Sequence, residues 1–180
     1  MPRSTNPAAV GPLTAAAIET PAGNFIAHFS ARGLARLEFP RRYATLPTPN
    51  LSDWKAEQLQ WLALTKRAIL DTLNGQPPAE FPPIDLSSGT EFRQRVWAAL
   101  RNIPMGATKS YGEIAKEIGS PKAVRAVGGA CGANPVPLLV PCHRVLAANV
   151  HLGGFSGGLD WKLRLLAAEG VDVSQGRSNQ

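Results

Sequence analysis

The chain has 180 residues, 44% hydrophobic and 18% charged, which is enough apolar content for a packed core and too little charge for wholesale disorder. No apolar run reaches the roughly 18 residues of a membrane span, and Met1-Pro2-Arg3-Ser4 leads into no hydrophobic signal region, so neither membrane nor secretory location is expected. Two cysteines, Cys131 and Cys142, with His28, His143 and His151, give neither a disulfide framework nor a spaced metal pattern; no metal, no cofactor and a cytoplasmic setting (nuclear in a eukaryote) are the expectation. The net charge of +6 is uneven: residues 1–86 hold 8 Lys and Arg against 7 Asp and Glu, and residues 87–180 hold 11 against 6. A basic second half suits a polyanionic partner, and a merely solvated basic surface would give the same count.

In chain order, residues 1–13 read as a loose tail. Ala15–Thr20, Phe25–Ser30 and Leu34–Phe39 are short runs separated by turn residues, the pattern of an antiparallel meander. After a proline-broken stretch, Ser52 or Asp53 can cap a helix with Leu59, Leu62, Ile69 and Leu73 at helical spacing, closed by Asn74-Gly75. Four prolines between Gln76 and Pro83 suggest a stiff connector. Ser88-Gly89-Thr90-Glu91 fits a capping box ahead of a helix with Phe92, Val96, Leu100 and Ile103 on one face, stopped by Pro104. Ser110 to Ile118 reads as a short helix closed by Gly119. Ser120 with Pro121 then opens a second helix, from Lys122 to about Ala130, in which Arg125 sits among small residues. Such a pair is the helix-turn-helix pattern. Its small side chains suit either a nucleic-acid face or close packing on another helix.

The most unusual stretch is Asn134 to Val145. Prolines 135, 137 and 141 drive the backbone extended, so Leu138-Leu139-Val140 reads as a buried strand delivering Cys142, His143 and Arg144. A free thiol is only a few per cent ionised at neutral pH, so a nucleophilic Cys142 needs a base or cation beside it. Neighbouring residues of an extended strand face opposite ways, which favours a water between Cys142 and His143 over direct contact. A buried structural cysteine is the alternative at this point.

Pro141-Cys142-His143-Arg144-Val145 resembles the signature of the O6-alkylguanine-DNA alkyltransferases, the methylated-DNA–protein-cysteine methyltransferases. Arg125-Ala126-Val127-Gly128-Gly129-Ala130, Asn134-Pro135, Ser156-Gly157-Gly158, Ala168-Glu169-Gly170 and Tyr111 stand where that family has them, so the resemblance covers about residues 88–172. It implies an α+β protein. A small ribonuclease-H-like antiparallel sheet with a helix would occupy 14–76, a proline-rich linker 77–86, and a mostly helical domain with a winged-helix-type helix-turn-helix 87–173, with tails at 1–13 and 174–180.

The activity implied is irreversible, single-turnover transfer of an alkyl group from O6-alkylguanine, and O4-alkylthymine, in duplex DNA to Cys142. His143 would take the thiol proton through a water, Glu169 would orient the imidazole, and Tyr111 would donate to N3 of the departing base. Ser156 would bond O6, the carbonyls of Cys142 and Val145 would read the exocyclic amine, and Asn134 would brace the turn. Arg125 would fill the space of the extruded nucleotide. Lys122, Ala126, Gly128, Gly129 and Cys131 would lie on the DNA face of the same helix. No cofactor is implied, and the partner is double-stranded DNA carrying O6-alkylguanine, met by a monomer, with cooperative binding along DNA left open. Two other classes stay open on sequence: a lesion-sensing DNA-binding protein without chemistry, and a cysteine hydrolase.

Overall fold

A computed structural model describes residues 11–42, 45–147 and 152–172. Residues 1–10 of the expected leading tail, the whole trailing one and His151 lie outside them. The expected meander forms as β1 (Thr14–Thr20), β2 (Gly23–Ser30) and β3 (Gly33–Glu38), in the order β1-β2-β3. Two-residue turns join them, Thr20 pairing with Gly23 and Ser30 with Gly33. Alternation sets the faces: Phe25, Ala27 and Phe29 are buried, while Asn24, Ile26 and His28 between them are only partly covered.

The first helix, α1 (Ala56–Leu73), begins later than expected. Asn50 caps a separate short turn over Leu51–Asp53, because Trp54 leaves the helical path to bury itself against Phe29 with ring centroids 5.7 Å apart. Its buried stripe is Thr65, Ala68, Ile69 and Thr72 rather than the expected leucines; Leu59 is exposed. Both threonine hydroxyls are satisfied within the helix, donating to Trp61 O at 2.7 Å and Ala68 O at 2.8 Å, which makes their burial cheap.

The proline-rich connector is not free. Leu34 N–H donates to Pro83 O at 2.8 Å and Asp85 N–H to Leu34 O at 2.9 Å, so it runs along β3 as an added edge. Ser30 Oγ then donates to Asp85 Oδ2 at 2.6 Å and pins it there.

The second half is helical: α2 (Glu91–Arg101), α3 (Tyr111–Glu117), α4 (Val124–Gly132) and α5 (Leu159–Ala168), with β4 (Lys109–Ser110) and β5 (Val145–Leu146) forming a two-residue parallel ladder. Two starts differ from expectation. Thr90, not Ser88, caps α2, its hydroxyl accepting from Arg93 N–H. Helix α4 begins at Val124 because Ala123 N–H bonds Ser120 O at 2.8 Å, closing a separate turn that leaves Pro121 and Lys122 outside the helix. Ser110, by contrast, forms a full capping box with Glu113 at the head of α3.

One hydrophobic core runs through both halves, from Phe25, Phe29 and Ile69 to Trp97, Ile114, Val140 and Leu165. Phe39, just past β3, joins them: its ring lies 5.5 Å from Phe25, 4.9 Å from Trp161 and 5.5 Å from Phe155. Leu37 N–H also donates to Pro135 O at 2.9 Å across the junction. A shared core predicts that both halves unfold together in urea, as one transition by far-UV circular dichroism and tryptophan fluorescence. Phe39→Ala should shift that transition by about 3–5 kcal/mol without splitting it. Two resolved transitions in the wild type would contradict the shared core.

Candidate active site

Proline chemistry shapes the 134–146 segment, though not into the expected strand. Residues 135, 137 and 141 lack N–H donors, so no ladder can form. The chain instead makes a tight turn in which Pro137 bridges Val140 and Val140 N–H bonds Val136 O at 2.9 Å. Leu138 sits at φ 79°, a left-handed conformation that leucine rarely adopts, held because Leu138, Leu139 and Val140 are all buried. Cys142–Arg144 is then a single 3-10 turn.

Asn134 organises this turn with all of its amide atoms. Its Nδ2 donates to Val140 O at 2.8 Å and to Cys142 Sγ at 3.1 Å, and its Oδ1 accepts Val136 N–H at 3.1 Å. The thiol is thus held by a side-chain donor and is 4% exposed.

Behind it lies a buried charged cluster. Glu169, just past α5, accepts from His143 Nε2 at 2.7 Å, from Arg144 Nε at 2.9 Å and from Arg144 Nη2 at 3.0 Å. Arg144 Nη1 donates onward to Ile103 O at 2.6 Å. Burial alone would raise the Glu169 carboxyl, but the donors from His143 and Arg144 outweigh it and hold it at about 2. An ionised carboxylate only accepts, so His143 carries its proton on Nε2. Its Nδ1 is fully buried with no hydrogen-bond partner among the described residues. Burial lowers the imidazole below its ordinary value, against the pull of Glu169, so the ring is neutral and able to accept a proton.

Burial pushes the Cys142 thiol up to about 11, with Asn134 and Lys162 pulling the other way. Lys162 is a site residue that sequence reasoning missed. Its side chain is fully buried; Nζ donates to Val145 O at 2.7 Å and to Leu152 O, and burial brings its ammonium down to about 8. The two carbonyls expected to read a base are therefore already accepting: Val145 O from Lys162, Cys142 O from Val145 N–H. Each oxygen keeps a second lone pair. Tyr111 opens α3, half buried, its phenol raised by burial and by the neighbouring thiols, so it remains a donor. Its hydroxyl fills the space over Gly153, where a Cβ would come within 2.8 Å.

The structure separates the two readings of the small-residue helix. A Cβ added at Gly128, Gly129 or Gly132 would meet nothing within 4 Å, so no partner helix among the described residues requires these glycines. Ala126, Gly129 and Arg125 form an exposed face, with Lys122 exposed in the turn before it. Cys131 does not belong to that face, contrary to the sequence expectation. It lies with Val127 and Ala130 on the core side, where Trp97 Nε1 donates to Ala130 O at 2.8 Å, and burial pushes its thiol to about 12. Ser156 is exposed on the loop before α5. With Asn134 it lines a cavity of about 400 Å³ between the two halves.

Residues 91–171 match the family model described as 6-O-methylguanine DNA methyltransferase, DNA binding domain. The methylated-DNA–protein-cysteine methyltransferase of Haemophilus influenzae is 37% identical over 163 residues, covering 89% of this chain and 88% of the relative. That of Mycolicibacterium paratuberculosis is 59% identical over 81 residues, where the match spans 45% of this chain and about half, 49%, of the relative's length. Among solved structures, Mycobacterium tuberculosis OGT in complex with DNA is similar at TM-score 0.65 and 37% identity, covering 87% of this chain and 92% of that one. The O6-methylguanine-DNA methyltransferase of Pyrococcus kodakaraensis is similar at TM-score 0.56 and 25% identity, covering 89% and 100%.

The charged cluster generates a stability prediction with a definite sign. Glu169 and His143 both titrate below their ordinary values of 4.5 and 6.5 in the folded protein, so the unfolded chain takes up protons first as pH falls. Stability should therefore decline as pH drops below about 6.5, and again as Glu169 titrates between 4.5 and about 2. Glu169→Gln leaves Arg144 buried without its counter-charge and should cost about 3–5 kcal/mol at pH 7. Urea midpoints measured across pH check both; a loss under about 1 kcal/mol would show the cluster to be energetically idle.

Proposed function

Because this chain belongs to the O6-methylguanine DNA methyltransferase family, we propose that it repairs alkylated DNA by direct reversal, moving an alkyl group from O6 of guanine in duplex DNA to Cys142. The observation that carries this reading is a buried thiol held by Asn134, followed in the same turn by a neutral His143 whose Nδ1 is buried with no partner among the described residues.

In the proposed step, DNA docks on the bare face of α4 and the damaged nucleotide leaves the stack, at a cost of a few kcal/mol that the Arg125 guanidinium offsets by taking its place. The Cys142 proton passes through a water to His143 Nδ1, and the imidazolium formed is stabilised by Glu169 at 2.7 Å. The sulfur attacks the alkyl carbon, the S–C bond forms, the C–O6 bond breaks, and its electron pair stays on the guanine. Tyr111 donates to N3 of the base and Ser156 to O6, so the base leaves without a full negative charge. A thioether remains on Cys142, and each molecule acts once. O4-alkylthymine offers the same chemistry.

Intact mass tests this directly. After incubation with excess duplex carrying O6-methylguanine, the protein should gain one methyl group, mapped to Cys142. Cys131→Ala should still gain one, since burial pushes the Cys131 thiol up to about 12. No mass change with tight binding would make the protein a lesion sensor, turnover of an ester would make it a hydrolase, and a second methyl on Cys131 would overturn the single-acceptor assignment. Arg125→Ala should slow transfer from duplex by roughly tenfold, about 1.4 kcal/mol, and affect reaction with free O6-benzylguanine far less. Equal slowing of both would place Arg125 in the chemistry instead of the extrusion.

A further inference from the structure

The cavity beside Asn134 and Ser156 has a far wall that motif comparison does not reach. It comes from the end of β3 and its continuation, Arg36 to Arg41. Glu38 stands between two guanidiniums there, 3.2 Å from Arg36 Nη2 and 3.9 Å from Arg41 Nη2, and also contacts His28 Nε2 at 3.0 Å. Glu38 is the one acidic residue among the described residues that line the cavity, so with both arginines this wall is net cationic. The arginines are 56% and 72% exposed, and each contact to Glu38 occupies one end of a five-donor fork. The cavity, at about 400 Å³, is far larger than a methyl group needs.

We propose that this wall is a phosphodiester-binding site: Arg36 and Arg41 clamp the backbone of the lesion-bearing strand beside the extruded nucleotide. The proposal rests on the reading that a flipped base reaches Cys142. Three observations support it. Asn134 touches the Cys142 sulfur and also lines the cavity, so the cavity opens one residue away from the thiol, within reach of the backbone of a nucleotide whose base is there. Gly132, the last residue of α4, leaves open space and also lines the cavity, so the bare helix face runs into it without obstruction. That helix offers few cations of its own, whereas docking on a duplex requires phosphate neutralisation. Guanidinium forks match phosphate oxygens, and Glu38 holds the two forks apart and oriented before DNA arrives. The N-terminal half thereby becomes part of the DNA-binding surface.

The test measures duplex affinity against salt, with O6-methylguanine duplex and a Cys142→Ser background so that binding stays reversible. Replacing both arginines, Arg36→Gln with Arg41→Gln, should lower the slope of log affinity on log salt by about 2, close to one per lost phosphate contact. Arg36→Lys with Arg41→Lys should restore most of the slope. Arg32→Gln, which removes an equally exposed arginine paired with Asp85 outside the cavity, should leave it unchanged. In the Cys142 protein, the double Gln variant should react with free O6-benzylguanine, which carries no phosphate, at the wild-type rate. An unchanged slope in the double Gln variant, or an equal drop from Arg32→Gln, would overturn the proposal. If the slope falls as expected but the wild type takes no alkyl group, the phosphate site stands and the transfer reading fails.

Discussion

Burying the Glu169 carboxylate is the constraint on which the rest of the site depends. An anion removed from water needs a full set of donors, and this one collects them from separate parts of the chain: His143, Arg144 and, at 3.3 Å, Gly106 N–H. Arg144 extends the network to Ile103 O. The end of α5, the turn after α2 and the Cys142–Arg144 turn are thus locked around one charge. The lock also selects a tautomer. With Nε2–H committed to Glu169, whose carboxyl is held near 2, the lone pair of the neutral His143 ring faces the other way, on Nδ1.

Burial likewise keeps the Cys142 thiol protonated at rest. A thiol pushed up to about 11 is far less ionised at pH 7 than a free cysteine, of which a few per cent is thiolate. Asn134 and Lys162 favour the thiolate but do not outweigh desolvation. Under the proposed function, reactivity appears only when a bound base places its alkyl carbon against sulfur and the proton can move to His143 as the bond forms. The single-turnover acceptor proposed above would gain from this, because a permanently ionised thiol would be consumed by other electrophiles. Lys162 has a second task. By donating to the carbonyls of Val145 and Leu152 it joins the floor of the site to the loop ahead of α5.

What was legible in the sequence follows from which forces act locally. The meander was readable because apolar residues alternate between clear turns, and Pro141-Cys142-His143-Arg144-Val145 because that combination has few other uses. The strand expected before Cys142 failed because proline prevents the very ladder that extended φ values suggest, and burial of three aliphatic side chains stabilises a left-handed Leu138 instead. Helix α5 stayed hidden because its inward positions are Lys162, Leu165 and Leu166, followed by Glu169, which places charges where apolar periodicity is sought. The buried stripe of α1 was obscured likewise, since two of its four residues are threonines whose hydroxyls bond their own helix. The resemblance puts Cys131 on the DNA face because it directly follows Gly128-Gly129-Ala130, but helical phase turns it inward with Val127 and Ala130 while Gly129 and Gly132 stay exposed.

The contribution of the N-terminal half can be argued from a single ring. Phe39 occupies the space over Gly157, where a Cβ would approach it to 2.7 Å, so residue 157 must be glycine for the loop to sit against the sheet. The neighbouring Phe155 packs edge-on to Phe39 and also to His143, with centroids 6.3 Å apart in the latter pair. Ser156 is therefore carried on a loop whose two flanking residues both rest on an aromatic side chain from the other half. A side chain displaced by even an ångström loses a hydrogen bond to a base, and a surface loop alone does not hold such a tolerance. The sheet supplies what the helical half lacks: a rigid aromatic wall that fixes the loop carrying Ser156.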